Sequence, residues 1–181
     1  MQQMNEISVK DKKFSVSISE KEIENSVKNL ANRINEDYKG KEITFLGILN
    51  GSFMFASDLM KNIKNECKIS FIKVSSYEGT STTGSVKQLL GLNEDLEGKD
   101  VIIIEDIVDT GLTMKNILEI LKPKKPKSVK IATLIFKPES FKEDFKVDYI
   151  GFSIPNDFIV GYGLDYDGLG RNLKEIYTLV K

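Results

Sequence analysis

The stretch VIIIEDIVDTGLT, residues 101–113, decides how this chain is read. Val101 to Ile104 is a continuous apolar run, the pattern of a strand covered on both faces in a parallel sheet. Two adjacent acids end that run, Glu105 and Asp106, followed by Ile107, Val108 and Asp109. Thr110, Gly111, Leu112 and Thr113 then form a small, hydroxyl-rich turn. Met114, Ile117, Leu118 and Leu121 recur at helical spacing, so a helix starts near Thr113 and ends at Pro123. In such a strand–turn–helix, backbone N–H groups of the turn and of the helix N-terminus converge on an anion, phosphate above all. Gly111 permits the tight turn, and the hydroxyls of Thr110 and Thr113 add donors. The turn lacks the Gly-x-x-x-x-Gly-Lys-Ser/Thr pattern, which argues against a nucleotide triphosphatase. Three carboxylates beside an anion cradle repel the anion unless something intervenes. Ribose hydroxyls can donate to acids, and Mg²⁺ can bridge acids and phosphates. A sugar phosphate that also carries a metal-bound pyrophosphate needs the cradle and the acids together.

Outward from this stretch the chain alternates. Ser19 and Glu22 read as a capping box, Ile23, Val27, Leu30, Ala31 and Ile34 as a helical stripe, and Gly40 closes that segment. Residues 43–49 are a buried strand, and Asn50, Gly51 and Ser52 turn the chain. Phe55, Leu59, Met60 and Ile63 mark a helix, and 67–74 a further strand. Residues 75–85 are polar, rich in Gly, Ser and Thr, and read as a mobile loop. Strands are expected at 129–136 and 147–154. The alternation predicts an α/β fold, one domain over 1–181, with a mostly parallel central sheet flanked by helices. Ligands of such sheets bind at the carboxyl ends of the strands, which selects the segments after residues 49, 74, 104, 136 and 154.

Composition narrows the chemistry. The chain has 181 residues, enough for one sizeable core, and a net charge of −1 that points to neither nucleic acid nor an anionic membrane as partner. No apolar run approaches the ~20 residues of a membrane span, and the first residues lack the apolar stretch of a signal peptide, so the cytoplasm is expected. Cys67 is the only cysteine, which excludes an internal disulfide and reads as a buried inert thiol. There is no histidine, so Ser-His-Asp and Cys-His catalysis and His-ligated zinc are excluded. Acid–base work falls to Asp, Glu, Lys or Tyr.

VIIIEDIVDTGLT resembles the 5-phosphoribosyl-pyrophosphate signature of the type I phosphoribosyltransferases. The segments ILNGSFMFASDL, SSYEGTSTTG, IFKP and IPNDFIVGYGLDYDGLGR resemble, in order, those of the hypoxanthine (hypoxanthine-guanine) branch of that family. The likeness runs from about residue 43 to the C-terminus. Asp-Thr-Gly also occurs in aspartic proteases, but in all-β domains, whereas here it runs into a helical pattern. A ligand-binding regulator of the same fold without catalysis is the other reading, and the near-neutral charge and purine-site segments weigh against it.

The resemblance implies purine salvage: transfer of phosphoribosyl from 5-phosphoribosyl pyrophosphate to N9 of hypoxanthine, or guanine, on a fold with a small hood and a lid. It implies that Glu105 and Asp106 hold ribose hydroxyls, directly or through Mg²⁺, and that Asp109 to Thr113 hold the 5′-phosphate, with Ile107 and Val108 inside that segment. It assigns Lys137 to the exocyclic oxygen of a 6-oxopurine, Phe158 to stacking on the base and backbone groups of Ile159 to its edge. Asn50, Gly51, Ser52 and Arg171 would bind pyrophosphate, with a cis peptide near Leu49–Asn50. Asp165 would help hold Mg²⁺, and Ser76 and Tyr77 would close the lid. Asp109 is the proton acceptor expected in a chain without histidine. A homodimer or homotetramer is implied. Asn50 and Asp157 stand where lysine occurs in relatives, so the charge such a lysine brings is absent here.

Overall fold

The computed structural model describes residues 6–76, 87–90, 92 and 94–180. The chain opens with a hairpin that periodicity alone did not call out, β1 (Glu6–Val9) and β2 (Lys12–Ile18). Helix α1 (Glu20–Asp37) starts where expected: the Ser19 hydroxyl accepts the Glu22 N–H at 3.3 Å, and the Glu22 carboxylate accepts the Ser19 N–H at 2.9 Å. These reciprocal bonds satisfy two N–H groups that a helix start leaves orphaned. Ile23, Val27, Leu30, Ala31 and Ile34 are its buried stripe.

The next elements are β3 (Ile43–Leu49), α2 (Phe53–Met60), β4 (Cys67–Ser76), β5 (Lys87–Leu90), β6 (Asp100–Val108), α3 (Leu112–Leu121), β7 (Ser128–Phe136) and β8 (Tyr149–Ser153). The central sheet runs in the order β5-β4-β3-β6-β7-β8, all parallel except β5, which pairs antiparallel at the edge. Its two faces carry separate cores. Phe45, Ile102 and Ile104 pack with α1 and α2, while Leu46, Val101 and Ile103 pack with α3. That alternation is why these strands read as unbroken apolar runs.

Two expectations need correcting. Helix α2 stops at Met60 rather than reaching Ile63. The Asn62 amide donates to the Asp58 carbonyl at 2.8 Å, capping the helix end, and Ile63 joins the core from the loop that follows. The larger correction concerns the acids. The strand does not end at Ile104: Glu105 and Asp106 lie within β6, which continues to Val108. Register explains it. Strand β7 pairs with β6 as far as Val108↔Phe136, whereas β3 pairs with it only to Ile104. Residues 105–108 are therefore held on one side and open on the other.

The hood is a second sheet of order β1-β2-β10-β9, closed by β9 (Ile159–Val160) and β10 (Ile176–Leu179) around Val9, Phe14, Val160 and Tyr177. Among the described residues no helix is long and apolar enough to cross a membrane. Of the expected lid, Ser76 is the last residue of β4, and Tyr77, with 78–86, lies outside the described residues.

Candidate active site

The turn at 110–113 has the tight form its residues imply. Gly111 sits at φ +86°, a conformation that side chains disfavour, and the ring of Phe141 occupies the place a Cβ would take. Gly111 gives helix α3 no side-chain cap, so apart from the Leu112 N–H, which the Thr110 hydroxyl accepts, the N–H groups of its first turn are available to an anion. Thr110 ties the turn down: its hydroxyl accepts the Leu112 N–H at 3.4 Å and its carbonyl accepts the Lys142 N–H at 3.3 Å. Leu112 and Thr113 are exposed at the turn's surface.

Glu105 and Asp106 are 7% and 9% exposed, so both carboxyls are largely out of water. The Asp106 N–H donates to Glu105 Oε1 at 3.2 Å, and the Ile107 N–H to Asp106 Oδ1 at 3.0 Å. Among the described residues neither acid is within ion-pair distance of a lysine or arginine. Burial, and then the neighbouring Asp106, push the Glu105 carboxyl well above the usual carboxylate range.

The loop at Asn50, Gly51 and Ser52 presses against this pair. Its Leu49–Asn50 peptide is cis, as the resemblance implied. A Cβ on Gly51 would coincide with the Asp106 carboxylate, and a Cβ on Gly163, at φ +98°, would collide with the Gly51 carbonyl. The hydroxyl of Ser52 is fully buried with no hydrogen-bond partner among the described residues. Arg171 donates to the Gly163 carbonyl at 2.7 Å and pairs with Asp165 at 2.6 Å, and the other Asp165 oxygen accepts the Gly168 N–H at 2.7 Å. Asn50 to Ser52, Asp106, Asp165 and Arg171 are thus drawn into one neighbourhood from three parts of the chain. The described residues gather no cluster of three acids close enough to ligate a metal by themselves.

Lys137 follows β7, and its N–H extends the ladder to the Val108 carbonyl at 3.0 Å. Its buried ammonium reaches Asp109 Oδ2 at 3.3 Å, while the Asp109 side chain stays 46% exposed. The residue expected to bind a purine oxygen and the residue expected to take a proton therefore face each other. Phe158 is 42% exposed, so part of its side chain is open to a flat ligand. The ring is held edge-to-face by Tyr166 at 5.6 Å and against buried Phe14 at 6.0 Å. Tyr166 is itself anchored, its hydroxyl donating to Asp11 at 2.8 Å. Ile159 is buried in β9, and the Phe158 carbonyl accepts the Leu179 N–H at 2.9 Å. Tyr162, Gly163, Tyr166 and the hairpin residues Asp11 and Phe14 were not among the expected site residues. The run GYGLDYDGLG, with four glycines in ten residues, was the sequence signal that so many backbone contacts converge there.

Comparison with known proteins gives the family. The phosphoribosyl transferase domain model matches residues 18–167. The chain is 48% identical over 166 residues to a hypoxanthine-guanine phosphoribosyltransferase of Staphylococcus epidermidis, covering 91% of this chain and 93% of that protein. A crystal structure of a hypoxanthine-guanine phosphoribosyltransferase from Bacillus anthracis, with a HEPES molecule in the active site, superposes with a TM-score of 0.82 at 42% identity, covering 92% of this chain and 97% of that one. A hypoxanthine phosphoribosyltransferase of Trypanosoma cruzi superposes with a TM-score of 0.84 at 34% identity, covering 96% and 95%.

Proposed function

From the premise that this chain belongs to the phosphoribosyl transferase domain family, we propose that it is a purine-salvage enzyme acting on hypoxanthine and guanine. It transfers the phosphoribosyl group of 5-phosphoribosyl pyrophosphate to N9 of the base, releasing pyrophosphate. The observation that carries this reading is the meeting of Lys137 and Asp109 at 3.3 Å, beside an uncapped helix N-terminus and two buried acids.

Each part has a task. The N–H groups of 110–113 and the hydroxyls of Thr110 and Thr113 hold the 5′-phosphate, with Ile107 and Val108 fixing the turn to the sheet. Glu105 and Asp106 accept from the ribose hydroxyls. Phe158 stacks on the base, whose edge meets backbone groups of Ile159. A 6-oxopurine draws the Lys137 ammonium onto its carbonyl oxygen. That exchange releases Asp109 from its ion pair, so the carboxylate is free to accept the purine proton when the base is in place. The Asn50–Ser52 loop and Arg171 receive pyrophosphate; Arg171 suits this because its fork matches phosphate oxygens.

The residues present fit Mg²⁺. Glu105 and Asp106 are hard oxygen donors, buried side by side with no lysine or arginine within ion-pair distance among the described residues, and would hold Mg²⁺ together with substrate oxygens; Asp165, which pairs with Arg171 and does not cluster with them, would join only by giving up that partner. Bound there, Mg²⁺ would offset the charge of the departing pyrophosphate. The segment expected as a lid, with Ser76 at the end of β4 and Tyr77 after it, would close over the reaction and exclude water. The whole of 1–181 acts as one domain, in the cytoplasm, as a homodimer or homotetramer. Incubation with 5-phosphoribosyl pyrophosphate, Mg²⁺ and each of hypoxanthine, guanine, xanthine and adenine tests the reading. Nucleotides form from hypoxanthine and guanine; no product from any base, or adenine as best substrate, overturns it.

A further inference from the structure

Tyr162 lies outside every role given above, yet it is 4% exposed and sits at φ +48°, between Gly161 at +106° and Gly163 at +98°. A bulky residue is disfavoured in the left-handed region, so something holds it there. Its hydroxyl donates to Asp58 Oδ2 at 2.6 Å. Asp58 belongs to α2, which begins directly after the Asn50–Ser52 loop, and its other oxygen is taken by Lys61 at 2.7 Å.

The surroundings make this bond consequential. A cavity of 310 Å³ lies on one side of it, lined in part by Ile23, Met54, Asp58, Tyr162 and Lys174, while the ring of Tyr162 belongs to the core that α1 and α2 share, so the hydroxyl is delivered to Asp58 from a packed ring. Burial and the adjacent carboxylate both push the Tyr162 hydroxyl upward in pKa, which keeps it a donor. The next residue, Gly163, leans on the Gly51 carbonyl and receives the Arg171 guanidinium. The purine side is fastened independently, through Tyr166 to Asp11 and through β9 to β10.

We propose that Tyr162 and Asp58 are a positioning pair that sets the spacing between the pyrophosphate loop, 50–52, and the hood loop carrying Asp165 and Arg171. The proposal deepens the phosphoribosyltransferase reading and rests on it for the ligand, pyrophosphate. Without the bond, the hood loop lifts from Gly51 and carries Arg171 with it, while the base site stays in place.

The test compares wild type with Tyr162→Phe, which keeps the ring and removes only the hydroxyl. Calorimetric titration with Mg²⁺–pyrophosphate and Mg²⁺–5-phosphoribosyl pyrophosphate reads the spacing without requiring turnover. Both affinities fall by about five- to ten-fold in Tyr162→Phe, the worth of one charge-assisted hydrogen bond at a partly exposed carboxylate. In steady state the KM for 5-phosphoribosyl pyrophosphate rises in parallel, with kcat and the KM for hypoxanthine within about two-fold. Asp58→Asn, which still offers an acceptor, stays near wild type, and Asp58→Leu reproduces Tyr162→Phe. Unchanged pyrophosphate affinity in Tyr162→Phe overturns the inference, as does an equal loss toward hypoxanthine, which would mark general loosening. A wild type that binds these ligands but turns over no base overturns the enzymatic reading alone, and the affinities still decide the pair.

Discussion

The two halves of the cleft are built in opposite ways. The half proposed for ribose phosphate is one unbroken stretch, 105–113, in which strand, turn and helix start follow directly. The half proposed for pyrophosphate and purine comes from separate parts of the chain, 50–52, 137, 158–159, 165 and 171, and the hood is brought to the loop at 50–52 where Gly163 meets the Gly51 carbonyl. The first half takes its geometry from β-sheet register and from a glycine in a left-handed turn. The second takes it from contacts between loops, so its precision is open to changes at residues that never touch a ligand. Local construction confines damage, whereas assembled construction spreads it.

The largest effect is expected where the halves meet. Asp109→Asn keeps the shape of the turn but cannot accept a proton, and kcat falls by ~10²–10⁴-fold while affinity for 5-phosphoribosyl pyrophosphate stays within a few-fold. Steady-state kinetics beside a binding titration check this; a nearly silent variant would mean that Asp109 only shapes the turn, as Asp commonly does.

Lys137→Ala comes next. An ammonium donates to a 6-oxo group and opposes the amino group of adenine, and the lost contact is worth roughly 1–3 kcal/mol. Hypoxanthine turnover drops by about one to two orders of magnitude, with 5-phosphoribosyl pyrophosphate still bound. The four-base profile reads it, and undiminished hypoxanthine turnover sinks the assignment.

Gly163→Ala probes the assembled half alone. The added methyl meets the Gly51 carbonyl on a backbone at φ +98°. Affinity for Mg²⁺–pyrophosphate weakens by about ten-fold, and the melting temperature falls by ~2–4 °C for each kcal/mol of strain. Wild-type pyrophosphate affinity in a folded Gly163→Ala protein would break the contrast between the halves.

The smallest effect concerns stability in the contiguous half. The folded pKa of Glu105 is raised above its ordinary value of 4.5, first by burial and then by Asp106. A raised folded pKa gives a contribution that is full below the unfolded value and is lost as pH rises through the folded one. Metal-free Glu105→Gln therefore melts higher than wild type at pH 8, by ~2–4 °C for each kcal/mol relieved, and the gap closes as pH falls toward 4.5. A gap independent of pH, in melts followed by circular dichroism with chelator present, contradicts this account.

Legibility follows the same division. The phosphate turn, the capped start of α1 and the parallel strands were readable because each is written in adjacent residues with a period or a cap. The hood strands were harder. Phe14, Val16 and Ile18 do alternate within β2, a signal that was present, but β9 has two residues and therefore no period at all. The Tyr166–Asp11 bond joins residues 155 apart, and no local pattern records such a pairing.

By itself the sequence determined the alternation that makes a parallel α/β sheet, the tight strand–turn–helix at 110–113, the presence of acids beside it and the absence of histidine chemistry. These follow from short-range backbone preferences and from the alternation of buried and exposed positions. Only the tertiary structure decided that Glu105 and Asp106 sit inside β6, because that depends on which neighbouring strand stops pairing first. It alone brought Lys137 to Asp109 across 28 residues and Tyr162 to Asp58 across 104. A hydrogen bond or ion pair exists only within about 3–4 Å, and for residues so far apart in the chain that distance is set by packing, not by order.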